Sequence, residues 1–262
     1  MLQSIIVDPR QIGLSEVQFD SASEPVYALM VTGKDMFHAH LARNSIFSFL
    51  AQTYGNRRLV VVNDGDYSFE CIGVAADRIV QIQLDGRHIL GSLRNRSLDC
   101  VPPGALWVQW DDDDWHHPEL LAKQHEVLTE RAAETCFLRH QIKYAFSIDA
   151  GWADSFPGGF AGTLMARNRP ALRYPELAQS EDSVFCLALK HSCHWIAWDN
   201  PPHYYLRFIH GHNTWPDAHF QLVRRSPHQR QMLAESAAYL AAVLPLYDGE
   251  RIAHVRRENS CE

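Results

Sequence analysis

The chain has 262 residues, 46% hydrophobic and 21% charged, which is enough to bury a sizeable core in one large domain. Its net charge of −7 argues against a nucleic-acid-binding surface. No apolar run reaches the roughly 18 residues of a membrane span, and the six cysteines stand singly without zinc-site spacing. We therefore expect a cytoplasmic protein, with peripheral contact at the inner face of the membrane as an open alternative.

A strand, a helix and a second strand open the regular part of the chain. Val26–Val31 is an apolar run of strand length, and His38–Gln52 carries apolar residues at helical spacing. Leu59–Val62 is a second apolar run, and the turn Asn63-Asp64-Gly65-Asp66 follows it. Such a unit has parallel strands, so its ligand crevice should lie at their carboxyl ends.

Strands and helices continue to alternate up to residue 134. The pattern predicts strands over Ile79–Leu84 and Ala105–Val108, and helices over Gly91–Asp99 and Pro118–Glu134. This alternation predicts an α/β fold with a central, mainly parallel sheet flanked by helices.

The second half of the chain is less regular. Two short strands, with a hairpin as one possible pairing, are predicted within Cys136–Ile148, and a Gly-rich loop and a short strand within Phe156–Asn168. Further predictions are a helix over Ser180–Lys190 with Ser180 as its N-cap, strands over Trp195–Trp198 and Tyr204–Ile209, and a helix over Gln229–Leu246.

Four consecutive aspartates, Asp111–Asp114, follow the strand at Ala105–Val108. Adjacent carboxylates repel one another, so the cluster needs either solvent or a divalent cation. Asp111 and Asp113 lie on one side of an extended segment and can converge on one cation. Oxygen ligands suit Mg²⁺ or Mn²⁺ and leave positions open for phosphates. A solvated acidic turn before the next helix is the alternative.

Two other polar residues should lie near the same crevice. Asp64 follows a strand, and its alternative role is that of a hydrogen-bonded turn residue. Arg94 lies in the short helix, where it could meet a phosphate, orient an aspartate or form a surface salt bridge.

Carboxylates and histidines in the second half are further candidates. Glu181 and Asp182 either cap their helix or supply a carboxylate that takes a proton from an attacking hydroxyl. His210 and His212 are either surface histidines or, beside a metal, one imidazole ligand and one phosphate contact. No GxSxG, HExxH, P-loop or GxGxxG motif is present, which removes the commonest hydrolase, zinc-protease and nucleotide-binding alternatives.

Taken in order, these features resemble family 2 glycosyltransferases, inverting enzymes with the GT-A fold and a DxD-type motif. The resemblance spans about residues 25–215. The phrases that carry it are SFLAQTY at 48–54, VVNDGD at 61–66, GSLRN at 91–95, DDDDWHHP at 111–118 and ED at 181–182.

The resemblance implies a nucleotide-binding side. Asp64 matches the residue that bonds the base, and Thr32 lies where the first strand meets the nucleotide. Arg94 matches the arginine of the nucleotide-side helix, and Asp111, with Asp112 beside it, matches the carboxylate near the ribose. Asp112 and Asp114 are expected mainly to support the turn and the following helix.

The resemblance also implies a metal and a base. Asp113 matches the ligand of Mn²⁺ or Mg²⁺ on the diphosphate, and His210 or His212 falls near that metal without a choice between them. Asp182 matches the general base of inverting members, and its neighbour Glu181 is the second catalytic candidate.

The expected function is metal-dependent transfer of a sugar, with inversion, from a nucleotide-diphosphate sugar, expected to be UDP-linked. The acceptor is a hydroxyl of a glycan, a lipid-linked sugar or a cell-surface polymer. The alternatives are a sugar-nucleotide nucleotidyltransferase and a catalytically silent nucleotide- or sugar-binding module of the same fold. Departures from the family pattern are Asn63 in the DDGS turn and Thr-Gly-Lys-Asp at 32–35, so base recognition can differ.

We expect three regions along the chain. Residues 1–24 are an N-terminal extension and residues 25–225 the GT-A domain, with a nucleotide-binding half at 25–134 and an acceptor half at 135–225. Residues 226–262 are a C-terminal helix and tail, whose basic segment Arg251–Arg257 is too short to indicate membrane contact.

Overall fold

A computed structural model of the protein describes residues 2–13, 23–33, 35–72, 78–216, 219, 229–230 and 232–247. Its strands are β1 (Gln3–Val7), β2 (Val26–Thr32), β3 (Arg57–Asn63), β4 (Tyr67–Cys71), β5 (Ile79–Gln83), β6 (Leu106–Gln109), β7 (Trp115–His116), β8 (Thr135–Leu138), β9 (His140–Ala145), β10 (Ala150–Ser155), β11 (Met165–Arg167), β12 (Trp195–Trp198), β13 (Tyr205–Ile209) and β14 (Gln229–Arg230). Its α-helices are α1 (Met36–Leu50), α2 (Leu90–Leu98), α3 (Leu120–Glu130), α4 (Glu181–Ser192) and α5 (Ala234–Val243).

The larger sheet has seven strands in the order β12-β8-β11-β6-β2-β3-β5. All neighbours in it are parallel except β11, which runs antiparallel to both β6 and β8. The predicted strand–helix–strand unit is confirmed, since β2 and β3 pair in parallel from Val26↔Arg57 to Thr32↔Asn63 with α1 between them. The carboxyl ends of β2, β3 and β6 therefore meet at one edge of the sheet.

Helices cover both faces of this sheet because its strands bury side chains on both sides. In β2, Ala28 and Met30 pack into the same apolar cluster as Ile46 of α1. The alternate residues Leu29 and Val31 pack into a second cluster on the opposite face, which Leu93 of α2 joins. Near-continuous apolar strands of this kind are typical of a parallel sheet buried between two helical layers.

The smaller sheet has five strands in the order β14-β10-β9-β13-β7. The predicted hairpin within Cys136–Ile148 is wrong, because β8 and β9 belong to different sheets and do not pair. β8 is buried along its whole length, as a central strand of the larger sheet must be. In β9, Gln141 and Lys143 alternate with Ile142 and Tyr144, a pattern that suits a sheet with one polar face.

The two ends of the chain contribute to these layers. Within the predicted N-terminal extension, β1 pairs in parallel with β4 and buries Ile5 and Val7. The predicted helix Gln229–Leu246 is shorter than expected, since β14 pairs with β10 before α5 begins at Ala234. The segment Arg251–Arg257 lies outside the described residues. In the described part of the chain, every helix is too short or too polar to traverse a lipid bilayer.

His116 gives the fold a specific acid sensitivity. Its ring is 1% exposed and stacks on Trp110 with 3.6 Å between ring centroids. Burial lowers the pKa of His116 to about 3, whereas an unfolded histidine titrates near pH 6.5. Between these values the unfolded chain binds a proton that the folded chain does not, so stability falls as the pH falls.

We expect His116→Gln to reduce the pH dependence of the free energy of unfolding by as much as about 1.4 kcal/mol per pH unit below pH 6.5. Urea unfolding between pH 4.5 and 7.5 would measure the slope. His191→Gln, on the exposed side of α4, is the control and should leave the slope as in the wild type. Equal slopes for His116→Gln and wild type would contradict this explanation.

Candidate active site

A cavity of about 580 Å³ opens at the carboxyl ends of the parallel strands. It is lined by residues from β2, from the turn after β3, from α2, from the aspartate run and from the start of α4. The charged residues that line it are Asp64, Arg87, Arg94, Asp111, Asp112, Asp113, Glu181, Asp182 and Arg207. All the candidates predicted for the nucleotide and the base line this one cavity, Thr32 included.

Asp64 lines the cavity from the turn after β3. Its Oδ2 accepts the backbone N–H of His88 at 2.8 Å, and its Oδ1 lies 3.3 Å from Nη1 of Arg87. Arg87 also donates to the carbonyl of Gly33, so a loop before α2 fastens the ends of β2 and β3 together. Thr32 lies in the same region, with its hydroxyl 2.7 Å from that of Tyr67. Lys34, in the unusual 32–35 segment, lies outside the described residues.

Arg94 lines the cavity and contacts carboxylates of two other segments. From α2 its Nε donates to Oε1 of Glu181 at 2.8 Å, and its Nη2 donates to Oδ1 of Asp111 at 3.2 Å. Burial disfavours the charged guanidinium, but Asp111 and Glu181 outweigh it and hold the pKa of Arg94 above its ordinary value. Burial also raises the pKa of Glu181, against the effect of Arg94. The guanidinium of Arg94 therefore joins the aspartate run to the start of α4.

The four aspartates have different surroundings. Asp111 accepts from Arg94 and from Nε2 of Gln109 at 3.0 Å, and Asp112 lines the cavity. Asp114 turns away into the protein, and its side chain is fully buried. Its carboxylate accepts the Tyr205 hydroxyl at 2.6 Å and the Phe208 backbone N–H at 3.1 Å. Asp114 thus supports β13, whereas the sequence analysis expected it to support the turn and the helix that follows.

Asp113 is oriented by the loop that follows β13. Its Oδ2 lies 3.1 Å from Nε2 of His210 and 3.1 Å from Nδ2 of Asn213. Nδ1 of His210 accepts the backbone N–H of His212 at 3.2 Å, which leaves the ring proton on Nε2 to be donated to Asp113. His212 instead has Nδ1 3.7 Å from Oδ2 of Asp35. The two histidines therefore differ in their contacts, since His210 bonds to Asp113 and the ring of His212 faces Asp35.

Asp113 and Asp114 titrate in opposite directions although they are neighbours. Burial opposes ionisation of Asp113, but the hydrogen bond from His210 and the charge of Arg207 lower its pKa. Burial and the neighbouring Asp113 raise the pKa of Asp114 well above its ordinary value. The negative charge of the pair therefore resides on Asp113, at the cavity.

Glu181 and Asp182 are also separated by their contacts. Glu181 is 2% exposed and committed to Arg94, whereas Asp182 is half-buried at the cavity rim. Asp182 accepts on Oδ1 from the backbone and hydroxyl of Ser183, and no described residue donates to its Oδ2. The predicted N-cap Ser180 precedes α4 but makes no capping bond through its side chain, because its φ of 65° places it in the left-handed region.

The sequence did not reveal several cavity residues. Arg87 and His88 lie in a loop that has no motif, and Arg207 lies within a strand among apolar residues. His38 lines the cavity from α1, where it is 2% exposed and its Nδ1 lies 2.9 Å from Oδ1 of Asp35. For Arg87 and His88 the sequence offered one indication of a role in the cavity, which is their position just before the start of α2.

The cavity has a charge that fits a divalent cation. Six carboxylates line it against three arginines. Among the described residues, no group of three or more histidine, cysteine or carboxylate side chains is arranged to hold a metal. A cation here would have only one or two protein ligands, which suits Mg²⁺ or Mn²⁺ carrying phosphate oxygens and water.

No protein-family model and no curated protein matches the sequence. Solved structures do match. TarS 1-349 of S. aureus in complex with UDP has a TM-score of 0.53 at 14% identity, over 71% of this chain and 61% of that one. The complex of TarS 1-349 with UDP-GlcNAc gives a TM-score of 0.52 at 14% identity, over 70% and 58%.

A third match is the mannosyltransferase PcManGT from Pyrobaculum calidifontis in complex with GDP-Man and Mn²⁺, with a TM-score of 0.51 at 15% identity over 96% of this chain and 78% of that one. The chain has the GT-A fold. It spans about 60% of the length of TarS 1-349. The GT-A fold that the resemblance implied is therefore confirmed by the matched structures.

Gly33, at the end of β2, packs closely against Asp64 and Gly65 in the turn after β3. Its φ is 151°, and a Cβ there would overlap Oδ1 of Asp64 and lie 2.8 Å from the backbone nitrogen of Gly65. We expect Gly33→Ala to lower the free energy of unfolding by about 1–3 kcal/mol more than Gly86→Ala. Gly86 is the matched control, since it has a positive φ of 73° and nothing within 4 Å of its Cβ position. Equal losses in urea unfolding would refute the close packing of Gly33 on Asp64.

Proposed function

We propose that the protein is a metal-dependent inverting glycosyltransferase that moves a sugar from a nucleotide-diphosphate sugar to an acceptor hydroxyl. The observation that carries this proposal is the convergence of Asp64, Arg94, Asp111, Asp113 and Asp182 on one cavity of a GT-A fold. The fold's neighbours support it, because one is a mannosyltransferase in complex with GDP-Man and Mn²⁺.

The base of the nucleotide would lie beside Asp64 in the cavity. A carboxylate that is 8% exposed and already held by the His88 backbone and Arg87 is a rigid acceptor for the N–H groups of a base. Asp111, fixed by Arg94 and Gln109, would accept from the ribose hydroxyls. We propose that the base is uracil. Because residues 32–35 depart from the family pattern, a screen of nucleotides is the direct test of this choice.

Asp113 would hold the metal, with Asp111 as the second candidate carboxylate. When bound, the cation would neutralise charge that develops on the leaving diphosphate. His210 and Asn213 orient Asp113 by hydrogen bonds to its Oδ2, so the carboxylate meets the cation in a fixed position. The excess of carboxylates over arginines also explains why an anionic donor would bind poorly without a cation.

Asp182 would remove the proton from the acceptor hydroxyl. Its Oδ2 accepts no hydrogen bond from the described residues, and the bonds of its Oδ1 to Ser183 hold it in the first turn of α4. Glu181 is a poorer base, because Arg94 occupies its carboxylate in the protein interior. A carboxylate opposite the leaving group gives in-line attack and therefore inversion.

The first test is a thermal-shift screen of nucleoside diphosphates with and without Mn²⁺. We expect UDP with Mn²⁺ at saturating concentrations to raise the Tm by about 5–10 °C, and UDP alone to raise it much less. Asp113→Asn should abolish the gain that Mn²⁺ brings. Absence of a shift with any nucleoside diphosphate, in either condition, would eliminate the proposal.

The second test concerns the base. We expect Asp182→Asn to lower the kcat of sugar transfer by about 10²–10⁴-fold while the Kd for UDP and Mn²⁺ changes little, because the base acts on the acceptor. Asp199→Asn, on an aspartate whose side chain is 74% exposed, is the control. A large rise in the Kd would show that Asp182 binds the nucleotide, and formation of a sugar nucleotide in place of a glycoside would favour the nucleotidyltransferase.

A further inference from the structure

Arg207 lies on the polar face of the smaller sheet, in β13. Its neighbours in the strand, Leu206 and Phe208, turn into the apolar core, so Arg207 points to the opposite side together with Tyr205. Asp114 fixes this part of β13 by bonds to the Tyr205 hydroxyl and the Phe208 backbone. The backbone on both sides of Arg207 is therefore held, and its side chain lines the cavity.

The Arg207 guanidinium ends beside the aspartate run. A Cβ at Gly162 would lie 3.0 Å from Oδ2 of Asp111 and 3.7 Å from Nη1 of Arg207. Gly162 thus leaves open the space next to both groups. Nevertheless, no described residue accepts a hydrogen bond from Arg207 or forms an ion pair with it within 4.0 Å.

The neighbouring charged groups are already engaged with other partners. Asp111 accepts from Arg94 and Gln109, Asp113 contacts His210 and Asn213, and Asp114 accepts from β13. The other two cavity arginines are engaged as well, Arg94 with two carboxylates and Arg87 with Asp64 and Gly33. Arg207 is thus the cavity arginine whose guanidinium N–H groups remain available to bond to a ligand.

Planar N–H donors of a guanidinium match the two oxygens of a phosphate or a carboxylate. Arg207 is separated from the carboxylate proposed for the base, because Arg87 lies beside Asp64 whereas Arg207 lies near Asp111, Asp113 and Asp114. A ligand extended from Asp64 past Asp113 would bring its distal phosphate and its sugar to Arg207.

We infer that Arg207 is a specificity-determining residue that binds an oxyanion at the sugar end of the donor, either the β-phosphate or the carboxylate of a uronic acid sugar. This inference rests on the proposed function. It assigns Arg207 to the ligand, whereas a purely structural arginine would only balance the charge of the buried aspartates.

The experiment measures the Kd of Arg207→Gln and wild type for UMP, UDP, UDP-glucose and UDP-glucuronate by calorimetry in the presence of Mn²⁺. If Arg207 binds the β-phosphate, the variant should lose about 10- to 100-fold in affinity for UDP and both UDP-sugars while its affinity for UMP is unchanged. If it binds a carboxylate, only UDP-glucuronate should lose affinity. The guanosine series replaces the uridine series if the wild type prefers it.

Two further variants keep the test decisive. Arg207→Lys retains the charge without the planar fork and should recover part of the lost affinity. Arg96→Gln removes an arginine whose side chain is 56% exposed and should match the wild type throughout. Unchanged affinities in Arg207→Gln, or an equal loss for all four ligands including UMP, would overturn the inference. A wild type that binds no nucleotide would overturn the proposed function, and the inference with it.

Discussion

The cavity depends on the buried guanidinium of Arg94, which lies between two carboxylates. Arg94 lies on α2, and its guanidinium binds Asp111 at the end of β6 and Glu181 at the start of α4, three segments that are distant along the chain. Removing one partner of a buried ion pair leaves an uncompensated charge and costs about 3–5 kcal/mol. This cost fixes Asp111 and the first turn of α4 in place, so Asp182 at that turn meets the same cavity as Asp113.

The aspartate run shows how one residue type acquires different roles from its surroundings. Asp111 is paired with an arginine, Asp113 is held by a histidine and an amide, and Asp114 is inside the protein with a hydroxyl and a backbone N–H. The pKa of Asp113 is lowered and that of Asp114 is raised, so the repulsion expected of adjacent carboxylates is relieved by keeping one of them charged. A cluster that looks uniform in the sequence is therefore divided between residues that line the cavity and one that supports β13.

The parallel strands β2, β3 and β6 could be predicted because they are continuous apolar runs that end in polar turns. Position at a strand end also identified Asp64 and Asp111 as cavity residues, whereas Thr32 was identified through the family resemblance. The sheet to which β9 belongs could not be predicted, since β8 and β9 are adjacent in the chain and pairing partners lie far away. Arg87, His88 and Arg207 were missed for a similar reason. Their role depends on which segments the topology brings to the cavity, and a lone arginine in a strand has no local signature.

One segment of the chain positions both Asp113 and Asp114. The segment from Tyr205 to Asn213 contacts both members of the aspartate pair, Asp114 through Tyr205 and Phe208 and Asp113 through His210 and Asn213. A shift of that segment therefore displaces both carboxylates at once. The carboxylate of Asp113 at the cavity and the buried carboxylate of Asp114 therefore depend on the same short stretch of chain, through two separate sets of hydrogen bonds.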